Sequence, residues 1–146
     1  MKIPTLLALC TLAFSAQAQM SPLGLWRNID DVTGQAKAEI RITQKGAGLS
    51  GVVEKSLVPP DPKVDPNCNL CTDDRKGQPK VGLEIIRGGA KAAGKDSWEG
   101  GRILDPENGK DYSLRLTPIE GGKKLEVRGY LGLPMLGRSQ TWIRIE

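Results

Sequence analysis

The chain has no histidine, one phenylalanine and three cysteines in 146 residues. Without histidine there is no Ser–His or Cys–His nucleophile pair, and no His-ligated catalytic zinc. Aromatic residues make up only 4% of the chain, and no basic run extends beyond Lys123-Lys124. Nucleic-acid binding draws on a concentrated basic stripe, usually with stacking aromatics, so no nucleic-acid partner is expected. Past the N-terminus no apolar run is long enough to span a bilayer. No serine sits in G-x-S-x-G, which removes the nucleophile elbow. Carboxylates such as Asp30, Asp31, Asp73, Asp74, Glu99, Asp105 and Glu107 are plentiful. They read as turn residues and solvated strand faces, and a carboxylate-only enzyme ranks third among the functional classes.

What is present begins with the leader. Met1-Lys2, an apolar run over 3–14 and Ser15-Ala16-Gln17-Ala18 have the plan of a secretory signal cut after Ala18. The expected organisation is a signal peptide over 1–18 and one domain over 19–146, periplasmic or secreted. Cys10 follows the bulky Leu9 and makes no convincing lipoprotein site. Cleavage removes Cys10 and leaves an even pair, Cys68 and Cys71, in an oxidising compartment. It also removes Lys2, lowering the formal charge of +4 by one. The remaining surface is mildly basic, which suits weak contact with an anionic envelope surface.

Short β segments divided by glycine turns fill the domain. Residues 35–44 alternate with Ala38, Ile40 and Ile42 on one face. Further strands are expected over 24–29, 49–57, 81–87, 96–104, 110–119, 124–131 and 139–145. Asp105-Pro106-Glu107-Asn108-Gly109 and Glu120-Gly121-Gly122 supply hairpin turns. Eight antiparallel strands in a meander can close into a small barrel, which is preferred here to a sandwich. The one long connection, 58–80, joins the third and fourth strands and holds five prolines. Such loops serve as lids or remain poorly ordered excursions.

Two motifs need a physical test. Gly46-Ala47-Gly48-Leu49-Ser50-Gly51 matches G-x-G-x-x-G, but a dinucleotide site needs a helix next, and Val52-Val53 continue a strand. A hairpin turn explains these glycines, and no cofactor is expected. Cys68-Asn69-Leu70-Cys71 has two thiols where a structural zinc needs four soft ligands, so no metal is expected. A thioredoxin-like centre needs a βαβ setting that is absent. The reading is a local disulfide that staples the loop.

Gly24-Leu25-Trp26 resembles the G-x-W that opens lipocalin-type barrels. The resemblance implies a tryptophan plugging the barrel base, with Arg138 or Arg144 packed across it. "VGLEII", "WEGGRILDPENGKDYSLRL" and "KLEVRGYLGLPMLGRSQTWIR", with "CNLC" before "KGQPKVGL", resemble the bacterial exported family catalogued as domain of unknown function 2147. That resemblance implies an exported lipocalin-like β-barrel. The leading functional expectation is a non-catalytic binding module for a small, largely apolar ligand or lipid, lined by Leu83, Ile85, Trp98, Tyr112, Leu114 and Val127. The alternative is a structural or interaction protein of the cell envelope with a filled barrel.

Overall fold

Alternating apolar and polar residues can bury only one face of a strand, and a sheet buries that face most completely by curling onto itself. The computed structural model describes residues 20–146; the expected signal peptide and Cys10 lie outside the described residues. Nine strands run in order: β1 (Gly24–Ile29), β2 (Ala36–Lys45), β3 (Gly48–Ser56), β4 (Glu84–Arg87), β5 (Ala90–Lys91), β6 (Trp98–Asp105), β7 (Lys110–Ile119), β8 (Lys124–Tyr130) and β9 (Gly137–Arg144). All pairings are antiparallel, in the order β4-β3-β2-β1-β9-β8-β7-β6-β5, and β4 also pairs with β6. That last pairing closes eight strands into a barrel, while β5 only fringes the edge of β6.

Most connections match their turn chemistry. Gly46-Ala47 makes the tight turn between β2 and β3, which disposes of the dinucleotide motif. Residues 106–109 turn β6 into β7, with Gly109 donating to the Asp105 carbonyl. Gly109 is held at φ 73°, and a Cβ there would run into the Leu70 carbonyl of the long loop. The expected fourth strand is shorter than 81–87. Gly82 (φ 93°) lies in a turn tied to Val53 by backbone hydrogen bonds, and Gly88-Gly89 ends β4 before β5 begins.

Strand alternation sets the core. Ile40 and Ile42 of β2, Leu114 and Leu116 of β7, and Leu125 and Val127 of β8 are buried in one cluster with Trp26 and Trp142. The antiparallel order also sorts the chain ends into two rims. Gly24, Trp98 and Arg144 belong to one rim; Ile29, Ser56, Asp105, Tyr130 and Gly137 belong to the other.

Candidate functional site

The first rim is closed. Trp26 is fully buried, and its indole Nε1 donates to the Pro22 carbonyl at 2.8 Å. Arg144 lies over the ring, its Cζ 4.2 Å from the centroid, a cation–π geometry. Its guanidinium donates to four carbonyls, Nε to Gly122 at 2.6 Å, Nη1 to Leu23 at 2.7 Å and to Glu146 at 3.5 Å, and Nη2 to Ser21 at 2.6 Å. The segment before β1 is thereby strapped across the barrel base. Gly24 leaves room for this: its φ is 133°, and a Cβ would strike the Glu146 carbonyl and the Arg144 guanidinium. Burial pushes the Arg144 pKa down.

Arg138 is not part of the plug. It shares a face with Arg144 but sits six residues earlier on β9, opposite Gly129 and near the other rim. There it donates to Asp31, Nη2 at 2.6 Å and Nε at 3.1 Å. That pairing holds the Asp31 carboxyl below its usual range and raises the Arg138 guanidinium.

The second rim carries a polar chain on the inner face. Asn28 Nδ2 donates to Gln140 Oε1 at 2.8 Å, and Trp142 Nε1 donates to the same oxygen at 2.9 Å. Gln140 Nε2 donates onward to Asp31 at 3.4 Å. Sequence reasoning missed Asn28, Gln140 and Trp142. The signal was the period-two face of β9, where Gln140 and Trp142 share the side of Arg144.

The six proposed lining residues do not surround one cavity. Leu83, Ile85, Leu114 and Val127 are buried within the filled core. Trp98 pairs with Leu116 toward the first rim, whereas Tyr112 pairs with Ile103 toward the second. A strand of eight or ten residues carries one face from end to end of the barrel, so sharing a face does not mean sharing a pocket. Tyr112 is half-buried, and its hydroxyl accepts a hydrogen bond from Asn108 in the rim turn at 3.4 Å.

The long loop is ordered against the barrel. Cys68 and Cys71 form a disulfide, and both are buried with the core cluster. Asn67 and Pro79 form a β-bridge, and Cys68 and Gly77 donate to the carbonyls of Gln78 and Cys68. Arg75, only 4% exposed, donates to the Glu84 carbonyl at 2.9 Å and to Asp73 at 2.6 Å. Two depressions are prominent, of about 260 and 400 Å³. One lies between Asn69, Leu70 and Lys80 of the loop and Glu107 of the β6–β7 turn; the other lies beside Lys45, Glu84 and Arg87. Both open to solvent. Among the described residues no cluster of carboxylates and cysteines is arranged to hold a metal ion, and no helix is long and apolar enough to cross a membrane.

The comparisons with known proteins agree with this geometry. A family model described as "uncharacterized protein conserved in bacteria (DUF2147)" matches residues 24–144. No curated protein matches the chain. A solved structure described as "Protein HP1028 from the human pathogen Helicobacter pylori belongs to the lipocalin family" superposes with a TM-score of 0.72. The two are 15% identical over 88% of this chain and 85% of that one, a likeness that shows the fold alone. With the family model spanning the whole barrel from Gly24 to Arg144, the chain belongs to DUF2147, uncharacterized proteins conserved in bacteria, and is built as a lipocalin-like barrel.

Proposed function

We propose that this chain is an exported, non-catalytic module that binds a small, largely apolar ligand at the open end of its barrel. The observation that carries the reading is the asymmetry of the inner face. One end is sealed by Trp26 and Arg144. Toward the other, the partly buried Ile103 and Tyr112 lie on the inner face with the amides of Asn28 and Gln140. A mostly apolar wall with a few convergent polar groups is the usual make-up of a small-molecule site. A buried apolar cluster occupies the barrel interior, so in this reading the ligand rests above it with its polar end at Gln140. Export is supported by the leader pattern over 1–18 and by the disulfide. Native mass spectrometry of protein purified from its own compartment should reveal a bound apolar mass. Tyr112→Ala and Gln140→Leu should each lower its occupancy. No bound mass, together with no uptake of an apolar fluorophore, would sink the proposal.

The filled core favours a second reading, an envelope interaction protein that uses the barrel as a rigid body. Its test is a pull-down from envelope extract at low and high salt. Recovery of no specific partner at either salt removes it.

A further inference from the structure

We infer that the β8–β9 loop, residues 131–136, is a docking tip for an anionic lipid bilayer. Leu131, Leu133, Met135 and Leu136 are 59, 56, 77 and 64% exposed, on one six-residue loop that contains no charge. Exposed apolar side chains in that concentration mark a contact surface rather than scatter.

Unpaired amides are costly in an apolar medium, and three of the tip's five N–H groups are paired within the loop. Leu131 N donates to the Leu136 carbonyl, Leu133 N to the Leu131 carbonyl, and Leu136 N to the Leu133 carbonyl. Pro134 has no N–H, and its carbonyl accepts from Arg128 Nε at 2.6 Å. The arginine thus braces the loop from below and keeps its apolar side chains outward.

Charge identifies the occupant. Arg128 of β8 stands directly opposite Arg115 of β7. Like charges facing each other across two strands destabilise a sheet. Among the described residues neither has a carboxylate partner: Arg128 spends its donors on Pro134 and Ser139. Glu99, across from Arg115 on β6, accepts instead from Ser97. Tyr130 lies on the same strand face, between this pair and the tip. The order is therefore an apolar tip, an amphipathic ring and a cationic collar, which matches acyl chains, interface and anionic headgroups in turn. A second copy fits less well, because a two-fold contact through the tip would bring the two collars together.

This inference does not depend on the apolar-ligand reading, and the two fail separately. The test is flotation of the purified protein with vesicles of phosphatidylglycerol and phosphatidylethanolamine, against vesicles of phosphatidylcholine. Binding should favour the anionic vesicles and weaken with salt. Leu133→Ser with Met135→Ser should lower the partition coefficient by ~10-fold or more. Arg115→Gln should lower binding to anionic vesicles only and flatten the salt dependence. Circular dichroism checks that each variant is folded. Tryptophan placed at the tip by Met135→Trp should be quenched by brominated acyl chains. Failure of the wild type to float with anionic vesicles at low salt overturns the inference, as does flotation indifferent to the tip substitutions. A dimer that dissolves on Leu133→Ser with Met135→Ser, without flotation, overturns it in favour of a second copy.

Discussion

Arg144 and Arg138 lie on the same face of the same strand, and their surroundings give them different roles. Arg144 pairs with no carboxylate side chain among the described residues; it meets an indole face and four backbone carbonyls. A planar fork suits that arrangement, and a lysine ammonium does not. Arg144→Lys should therefore cost about 1–3 kcal/mol in urea unfolding, although the charge is kept. Arg138 is largely exposed and pairs with Asp31 at the surface. Arg138→Ala should stay within about 0.5 kcal/mol, as exposed pairs do. Trp26→Ala should cost ~3–5 kcal/mol, since it empties a large buried site. A loss below 1 kcal/mol would mean that the ring does not support the barrel base. The G-x-W sequence pointed to Trp26, but spacing did not separate the two arginines. Their separation is a matter of where each lies along β9, and that depends on register with β1 and β8.

At the scale of elements, the loop between β3 and β4 behaves as part of the core rather than as an excursion. Its proline content forbids a regular strand, yet Cys68 and Cys71 pack with the barrel's own buried residues. The sequence read well as a staple, because the expected export to an oxidising compartment and the lack of further ligands left little else. Burial of the sulfurs was not legible, since it depends on the β6–β7 turn accepting Leu70 against Gly109. Ring closure over so short a span contributes only ~2 kcal/mol, and packing adds to it. Cys68→Ala with Cys71→Ala should leave the barrel folded while trypsin cuts faster at the exposed Lys63 and Lys76. Disulfide reductase activity in an insulin assay is expected to be absent from the wild type, because the sulfurs are inaccessible. Acid should loosen the same loop. Hydrogen bonds from Arg75 hold the Asp73 carboxyl at about 2, below its ordinary 3.8. A lowered folded pKa gives stability that is present above the unfolded value and is lost as pH falls toward the folded one. Proteolytic protection at Lys76 should thus decline between pH 4 and 2, modestly, because Asp73 is 43% exposed and solvent screens the pair.

Across the whole molecule, the barrel is two four-stranded meanders joined along two narrow seams. Within each meander the ladders are long: β2 and β3 pair from Ala38 to Lys45, and β7 and β8 from Ser113 to Ile119. Between them, β1 meets β9 at Trp26↔Arg144 and Arg27↔Ile143, extended by backbone bonds between Leu25 and residues 145–146. β4 meets β6 only at Ile86↔Ile103 and Arg87↔Arg102. The alternation of β2, β7 and β8 was plain in the sequence because each turns one face to the core. The seams were not, since a period of two says which face is buried and nothing about which strands close the ring. The β4–β6 seam is the shorter of the two and lacks the strapping that Arg144 supplies on the other side. Amides of Ile86, Arg87 and Ile103 should therefore exchange with solvent before those of β7 and β8. Ile86 is fully buried, and its side chain fills the space left by Gly51. Ile86→Ala should cost about 2–5 kcal/mol, speed exchange along β4 and β6 first, and leave the amides facing each other across β7 and β8 protected until global unfolding. Uniform acceleration around the ring would show instead that the barrel opens as one unit.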